Sequence, residues 1–166
     1  MATMLLVFQS VYVLCICYAI VSDFRNLLIP NWITIVLTSA FLAFATTYME
    51  PGAILVHIAV MGLVFLVFLV FFIAGWVAGG DVKLIAAIAL WMGVEHVINF
   101  VLLTTVLGSL LALALLQIRK YGFLVSGVLG DTWLFQRVST LAENRQCPYG
   151  VAIGIAALLT PAPIFH

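Results

Sequence analysis

The sequence predicts an all-α, polytopic integral membrane protein with about six transmembrane helices. Hydrophobic residues make up 66% of the chain and charged residues only 7%, which is far outside the range of soluble proteins. Lipid admits only helices or closed barrels, and the apolar runs here are too long for barrel strands. A chain of 166 residues has room for several helices but no sizeable extra domain. We therefore expect residues 1–166 to form a single transmembrane domain.

Breaks in the hydrophobic pattern divide the chain into helices. No Lys or Arg precedes the first apolar run, as a cleavable signal peptide would require, so this run predicts a retained helix. Polar residues from Ser22 end it, and Pro30 suits the first turn of the next helix. Glu50-Pro51-Gly52 and the segment Gly93 to His96 predict further turns. We expect helices over about residues 1–21, 31–49, 53–74, 81–92, 97–116 and 148–161.

A further turn must lie within residues 75–80, although no polar run marks it. From Ala53 to Met92 the only ionisable residues are His57, Asp81 and Lys83. At ~1.5 Å per residue and about 30 Å of hydrocarbon, this segment is long enough for two spans. Backbone that leaves the helix at such a depth survives only where protein buries it or water reaches it. The sequence therefore predicts a short second span and a polar cavity at Asp81.

The segment 121–146 is less hydrophobic than the rest of the chain. Leu134, Val138 and Leu141 recur there at helical spacing, and charged side chains occupy other positions of the wheel. This pattern is typical of an amphipathic helix at the membrane interface.

The distribution of charge predicts the orientation in the membrane. All six Lys and Arg residues fall on one side: Arg25 in the first predicted loop, Lys83 beside the third and the other four in the fifth, whereas the second and fourth loops carry Glu50 and Glu95. The positive-inside rule then places loops one, three and five in the cytoplasm and both termini outside. The net charge of zero gives no basic surface for nucleic acid, so the bilayer is the expected partner. Three tryptophans lie near predicted span ends, as interfacial aromatics do: Trp32, Trp91 and Trp133.

Asp23 and Asp81 are the candidate catalytic residues. A carboxylate near the membrane interior costs roughly 3 kcal/mol and is kept mainly for function. Two carboxyls that share a site do not both ionise easily, so one keeps a proton while the other acts as base on a water. Such a pair hydrolyses amides without a metal or a covalent intermediate.

Four neighbours of the aspartates are candidate supporting residues. Gly79 and Gly80 would let a substrate backbone approach closely. Arg25 and Lys83 would help to hold one carboxylate ionised. Lys83 could equally snorkel to the interface and fix its helix there.

The residue pattern also leaves other functions open. Asp81 could only cap a helix, and Asp23 with Arg25 could form a solvated loop pair. A small transporter subunit could use Asp23 and Asp81 to relay protons or bind a cation, although no acid lies at the bilayer centre. A structural subunit of a secretion machine would tolerate Asn at both positions.

No metal or cofactor is expected from the His and Cys pattern. His57, His96 and His166 are far apart in sequence and have no paired spacing. The three cysteines form no CxxC pair, and we read them as small apolar residues: Cys15, Cys17 and Cys147.

Three stretches resemble the type IV prepilin peptidases, a family of intramembrane aspartic proteases. Residues 78–84, Ala-Gly-Gly-Asp-Val-Lys-Leu, resemble the GxGD signature of that family. Ser-Asp-Phe-Arg at residues 22–25, followed by Ile-Pro-Asn at 29–31, is similar to its first-aspartate segment. Pro-Tyr-Gly-Val-Ala-Ile at residues 148–153 is similar to its final-helix motif. The six-helix layout of the family agrees with the helices predicted above.

The resemblance implies a specific activity. Asp23 and Asp81 would be the catalytic aspartates that cleave the short basic leader of a prepilin or pseudopilin at the cytoplasmic face of the inner membrane. Ala78 stands where the signature has its first glycine. The first cytoplasmic loop also lacks the paired CxxC motifs associated with N-methylation in larger members. The chain thus resembles the minimal, peptidase-only type found with tight-adherence (Flp) pili, without N-methyltransferase activity.

Overall fold

A computed structural model describes residues 2–129, 132–143 and 147–160, and this part of the chain is built of helices without strands. Four helices are long and apolar enough to cross a membrane. The predicted all-helical class is therefore confirmed, and its long apolar helices are consistent with the predicted membrane protein, whereas six spans with both termini outside stay a prediction. The elements are α1 (Ala2–Asn26), α2 (Asn31–Tyr48), α3 (Pro51–Ile73), α4 (Gly79–Leu129), α5 (Trp133–Glu143) and α6 (Tyr149–Leu159).

The longest element, α4, is two helices joined at Gly93. Its apolar part covers residues 79–121 and would measure about 65 Å as one straight helix, twice the hydrocarbon thickness. Gly93 interrupts it with φ 59° and ψ −166°, a backbone conformation that glycine adopts without steric cost. We call residues 79–92 α4a and residues 94–129 α4b. The turn predicted at Gly93 is confirmed.

Both parts of α4 pack against α3, because the chain doubles back at Gly93. Ala86 and Ala87 of α4a share one surface cavity with Met61 of α3. Val97 of α4b shares another cavity with Val64 of α3. The two parts of α4 therefore form a helical hairpin beside α3, and the segment Ala53 to Met92, predicted to hold two spans, corresponds to α3 and α4a.

The core of the molecule surrounds α4a. Every residue from Leu84 to Met92 is buried, so this short helix meets protein on all sides. Trp91 is fully buried and donates its indole N–H to the carbonyl of Leu37 at 3.1 Å. Its predicted interfacial position is wrong, because the Gly93 turn folds back over the end of α4a. The fully buried side chains around α4a include Ile16, Ile33, Leu37, Phe41, Phe100 and Ile153.

Three helices end at positions other than those predicted from hydropathy. α1 continues to Asn26, so Asp23 lies on the helix rather than in a loop. α4b continues to Leu129, because the charged side chains of Arg119 and Lys120 are exposed there and do not interrupt a helix. α6 has only 11 residues, about 16 Å, which is too short to cross the hydrocarbon alone.

The amphipathic helix predicted within residues 121–146 is present as α5. Leu141 and Ala142 are buried and pack with Leu115 of α4b and Phe24 of α1, whereas Gln136 on the same helix is exposed. The side chain of Leu134, together with Asp131, Arg145 and His166, falls outside what the structure describes.

Candidate active site

Asp23 and Asp81 line one cavity of about 370 Å³, where α1 ends and α4 begins. Their side chains are only 5% and 6% exposed, and the two carboxyl groups are close enough to interact electrostatically. The cavity predicted at Asp81 is present, and a solvated loop pair is excluded because Asp23 is buried on a helix. The other lining residues are Leu27, Leu28, Ile29, Pro30, Asn31, Ala78 and Gly80.

The last turn of α1 sets the position of Asp23. Leu27 leaves the helix with φ 54° and is the only described residue other than glycine with positive φ. Its N–H donates to the carbonyl of Asp23 at 2.8 Å, which is the hydrogen bond of an αL helix cap. Ser22 then donates its hydroxyl to the carbonyl of Leu28 at 2.7 Å. The chain therefore bends sharply past Asp23 and forms one wall of the cavity.

The carboxylate of Asp23 lies at the N-terminus of α6. It accepts hydrogen bonds from the backbone N–H groups of Gly150 and Val151 in the first turn of α6, and the N–H of Val151 also donates to the carbonyl of Pro148 at 3.1 Å. Aligned N–H groups at a helix N-terminus favour a negative charge. A Cβ atom at Gly150 would stand 2.8 Å from Oδ2 of Asp23, so only glycine allows this approach. Among the described residues, Oδ2 itself has no hydrogen-bond partner.

Asp81 occupies the first turn of α4a. Its side chain accepts a hydrogen bond from the backbone of Ala78, the residue that precedes the helix. An acidic residue at the third helical position commonly reaches back in this way, as in a capping box. Asp81 is therefore not the N-cap residue itself, because Ala78 precedes the helix, but its side chain caps the helix from the third position and its carboxyl group remains at the cavity.

The α3–α4 turn requires glycine at position 75, and not at position 78, where the family signature has its first glycine. Gly75 has φ 75° and ends α3 with two hydrogen bonds, from its own N–H to Phe72 and from Trp76 N–H to the carbonyl of Phe71, both 2.9 Å. These are the bonds of a Schellman motif. Ala78 has no positive φ, so alanine is accommodated there without backbone strain.

The glycines of the signature permit close packing. A Cβ atom at Gly80 would stand 3.3 Å from Cβ of Ile29, and one at Gly79 would stand 3.3 Å from the ring of Phe72. The first turn of α4a can therefore approach the segment after α1, which brings Asp81 to the cavity that Asp23 lines.

Comparison with known families agrees with this geometry. Residues 10–113, more than half of the chain, match the model of the type IV leader peptidase family. The chain belongs to the type IV leader peptidase family. The match includes both aspartates, whereas α5 and α6 lie beyond it. No curated protein and no solved structure matches the chain. Its family and its long apolar helices make this protein a membrane-embedded peptidase.

Of the four predicted supporting residues, only Gly80 lines the cavity, and Arg25, Gly79 and Lys83 do not. The guanidinium of Arg25 lies 5.8 Å from the ring centroid of Trp133. The ammonium of Lys83 donates to Oδ1 of Asn31 at 3.0 Å, so Lys83 reaches the cavity wall only through Asn31. The contacts that favour a charged Asp23 come instead from the backbone of α6.

Sequence reasoning missed three contributors to the peptidase site. Gly150 and Val151 belong to the final-helix stretch that carried the family resemblance, but their residue types revealed no role toward Asp23. Cys147 was read as a small apolar residue, yet it lies close enough to Asp23 and Asp81 for their charges to act on its thiol, although it lines a separate cavity with Arg119 and Leu141. Burial raises the pKa of the Cys147 thiol, and the negative charges of Asp23 and Asp81 raise it further.

The described part of the peptidase has no set of side chains that could bind a metal ion. Residues 2–129, 132–143 and 147–160 contain no group of three or more His, Cys, Asp or Glu side chains that could hold a metal ion. Nδ1 of His57 lies 2.7 Å from the carbonyl of Leu90, so this histidine fastens α3 to α4a.

Proposed function

We propose that the peptidase is an intramembrane aspartic endopeptidase that removes the short basic leader of prepilins or pseudopilins, with Asp23 and Asp81 as its catalytic pair. The observation that carries the proposal is that two buried carboxyl side chains, 58 positions apart, line one cavity. Buried acids of this kind are costly and mark functional sites in membrane proteins. Membership of the leader peptidase family supplies the class of reaction.

The geometry favours Asp23 as the base and Asp81 as the acid. Asp23 accepts two backbone hydrogen bonds at a helix N-terminus, and such bonds stabilise the charged form. Asp81 accepts one, from Ala78, and faces the charge of Asp23. Two adjacent carboxyls avoid double ionisation by sharing one proton. Asp23 would take a proton from the attacking water while Asp81 donates to the scissile carbonyl, and the pair titrates as a unit.

The proposed site of cleavage is the cytoplasmic face of the inner membrane. Arg25 and Lys83 lie at the same end of the helices as the dyad, and Glu50 and Glu95 lie at the turns of the opposite end. The positive-inside rule assigns the end with the cations to the cytoplasm. A leader that carries positive charge stays on that side for the same reason.

The proposed biological role is processing for Flp-type pilus assembly or a related secretion system. The support is the short segment between α1 and α2, residues 27–30, which contains no cysteine and no room for the insertion that accompanies N-methylation. We therefore propose a peptidase without methyltransferase activity. The transporter alternative gains no support from the family comparison.

Cleavage of a co-expressed prepilin, followed as a mobility shift, tests the proposal. The protein would be compared with Asp23→Asn and Asp81→Asn at matched membrane levels. Both variants should lose cleavage, because each removes one member of the acid–base pair while keeping the shape of the side chain. Glu95→Gln, an exposed acid at the opposite end, is the matched control and should cleave normally.

Each contrary result has a definite meaning. Substantial cleavage by either Asn variant would remove that residue from the chemistry. Failure of the unmodified protein on every pilin encoded nearby would refute prepilins as the substrate, and cleavage by both variants would refute the aspartic mechanism.

A further inference from the structure

The end of α1 leaves backbone carbonyls that must find partners elsewhere. The αL cap at Leu27 satisfies the carbonyl of Asp23, but the carbonyls of Phe24 and Arg25 lie in the final turn, where a helix supplies no N–H. At the end of α3, by contrast, the carbonyl of Phe72, which corresponds to that of Phe24, accepts from the N–H of Gly75 in its own chain segment. The turn that bears Asp23 therefore depends on another element.

Arg137 of α5 supplies the missing donors. Its Nε–H donates to the carbonyl of Phe24 at 3.0 Å, and its Nη2 group donates to the carbonyl of Arg25. A planar guanidinium can hold two acceptors in a fixed relation, which the single ammonium of lysine does less well. A cation at a helix C-terminus is also favoured by the helix dipole.

Further contacts fix α5 to the same turn. The rings of Phe24 and Trp133 meet edge to face with centroids 6.1 Å apart, and Arg25 lies over the ring of Trp133. Phe24 and Leu27 also pack against the buried cluster formed by Leu141 and Ala142 of α5 with Leu115 of α4b. The residues before and after Arg137 on α5 thus hold both sides of the turn that follows Asp23.

We propose that Arg137 is a positioning residue of the peptidase, which holds the last turn of α1 so that Asp23 meets the N-terminus of α6. This inference rests on the proposed role of Asp23 in catalysis. Arg137 lies outside the segment that matches the family model. α5 would therefore support the position of a catalytic residue, in addition to packing on the surface of the helix bundle.

The consequence of losing Arg137 follows from the geometry. Without the guanidinium, two carbonyls of the final turn lose their protein donor, and the turn can shift relative to α6. Asp23 precedes these carbonyls by one and two residues, so a shift displaces its carboxylate. Misplacement of a catalytic group by about 1 Å can lower a rate on the order of 100-fold, whereas the affinity for substrate need not change.

The experiment compares Arg137→Gln and Arg137→Lys with Arg119→Gln, which removes a charge from an exposed position of α4b. Each purified variant is assayed for kcat and KM on a prepilin that the unmodified protein cleaves. We expect Arg137→Gln to lower kcat at least 10-fold with KM changed less than about twofold. Arg137→Lys should recover part of that loss, added guanidinium ion should recover part of it in Arg137→Gln, and Arg119→Gln should behave as the unmodified protein.

Amide hydrogen exchange gives a second measurement that does not depend on activity. Residues 24–28 should exchange faster in Arg137→Gln, while α2 and α3 keep their protection. Unchanged kcat and unchanged exchange in Arg137→Gln would overturn the proposal. A loss shared by kcat and KM, with neither lysine nor guanidinium giving recovery, would also overturn it, because it indicates a general structural defect.

The Asp23→Asn variant separates this inference from the proposed function. If Asp23→Asn still cleaves, the catalytic role of Asp23 fails whatever Arg137 does. If Asp23→Asn is inactive and Arg137→Gln is normal, only the positioning role fails.

Discussion

Gly150 is the residue at which the smallest chemical change should have the largest effect on the site. A methyl group there would stand 2.8 Å from Oδ2 of Asp23 and 2.8 Å from Cδ1 of Ile29. Because neither the backbone of α6 nor the buried carboxylate can remain in place, we expect Gly150→Ala to lower kcat on the order of 100-fold. The measurement is prepilin cleavage at matched levels of membrane protein.

Gly62→Ala is the matched control for Gly150→Ala. A Cβ atom at Gly62 meets nothing within 4 Å, and alanine is the better helix former by about 1 kcal/mol, so this variant should retain full activity. Normal cleavage by Gly150→Ala would show that α6 does not support Asp23 in the way described.

Cys147 provides a chemical probe of the two aspartates that does not depend on catalysis. Its thiol pKa is raised by burial and then by the charges of Asp23 and Asp81, so less of the reactive thiolate is present at neutral pH. Replacing either acid by Asn removes a negative charge and should lower the pKa of the thiol. Alkylation of Cys147 by a maleimide near pH 7 should then be faster in both Asn variants than in the parent protein.

The alkylation experiment needs a background in which Cys15 and Cys17 are serine, so that Cys147 is the only thiol. Glu95→Gln serves as the control for loss of a distant negative charge and should leave the rate unchanged. Equal rates in the parent and in both Asn variants would contradict the placement of Cys147 beside the dyad.

The sequence predicted the two aspartates because each is an acid in an apolar setting, and that signal requires no knowledge of the fold. It could not predict Gly150 or Arg137 as their supports. Arg137 acts on backbone carbonyls, and Gly150 acts through its own backbone on the Asp23 side chain, in each case more than 100 positions away. Neither residue type indicates such a partner. Arg25 and Lys83 were natural candidates by proximity in sequence, but their side chains extend to Trp133 and Asn31.

At the scale of elements, the hairpin of α4a and α4b depends on Gly93. Its φ of 59° costs a non-glycine residue about 1 kcal/mol or more, and a Cβ atom would stand 2.6 Å from the ring of His57. We expect Gly93→Ala to lower the thermal unfolding midpoint in detergent by several degrees. Gly52→Ala, where a Cβ meets nothing within 4 Å, should not. Equal midpoints for the two variants would indicate that the hairpin does not need glycine at this turn.

Helix existence was predictable from hydropathy, and helix ends were not. Exposed Arg119 and Lys120 stopped the predicted helix near residue 116, yet charged side chains on an exposed face are compatible with a continuing helix, and α4b extends to Leu129. At α1 the polar residues from Ser22 suggested a loop, but the backbone leaves the helix only at Leu27. Such ends are set by capping hydrogen bonds and packing, which hydropathy does not register.

At the scale of the whole molecule, the charges separate along the direction of the helices. Lys83 is bonded to Asn31 in the wall of the active-site cavity, and Arg25 and Arg137 lie at the end of α1 beside it. At the other end, Glu95 lines a separate cavity with Met49 and His57. The amphipathic helix α5 packs at the end with the cations. This asymmetry predicts one orientation in the membrane, with the dyad near the cytoplasm.

Cysteine accessibility tests that orientation directly. In a variant without native cysteines, Glu50→Cys and Glu95→Cys should react with a membrane-impermeant maleimide in intact spheroplasts. Trp76→Cys, in the exposed turn between α3 and α4, should react only after the membrane is permeabilised. Because the background variant also lacks Cys147, which lies near the aspartates, its ability to cleave a prepilin must be confirmed first. If only Trp76→Cys were labelled in intact spheroplasts, the dyad would lie on the outer side of the membrane. A basic leader held in the cytoplasm has no access to that side, so the proposed substrate would have to be abandoned.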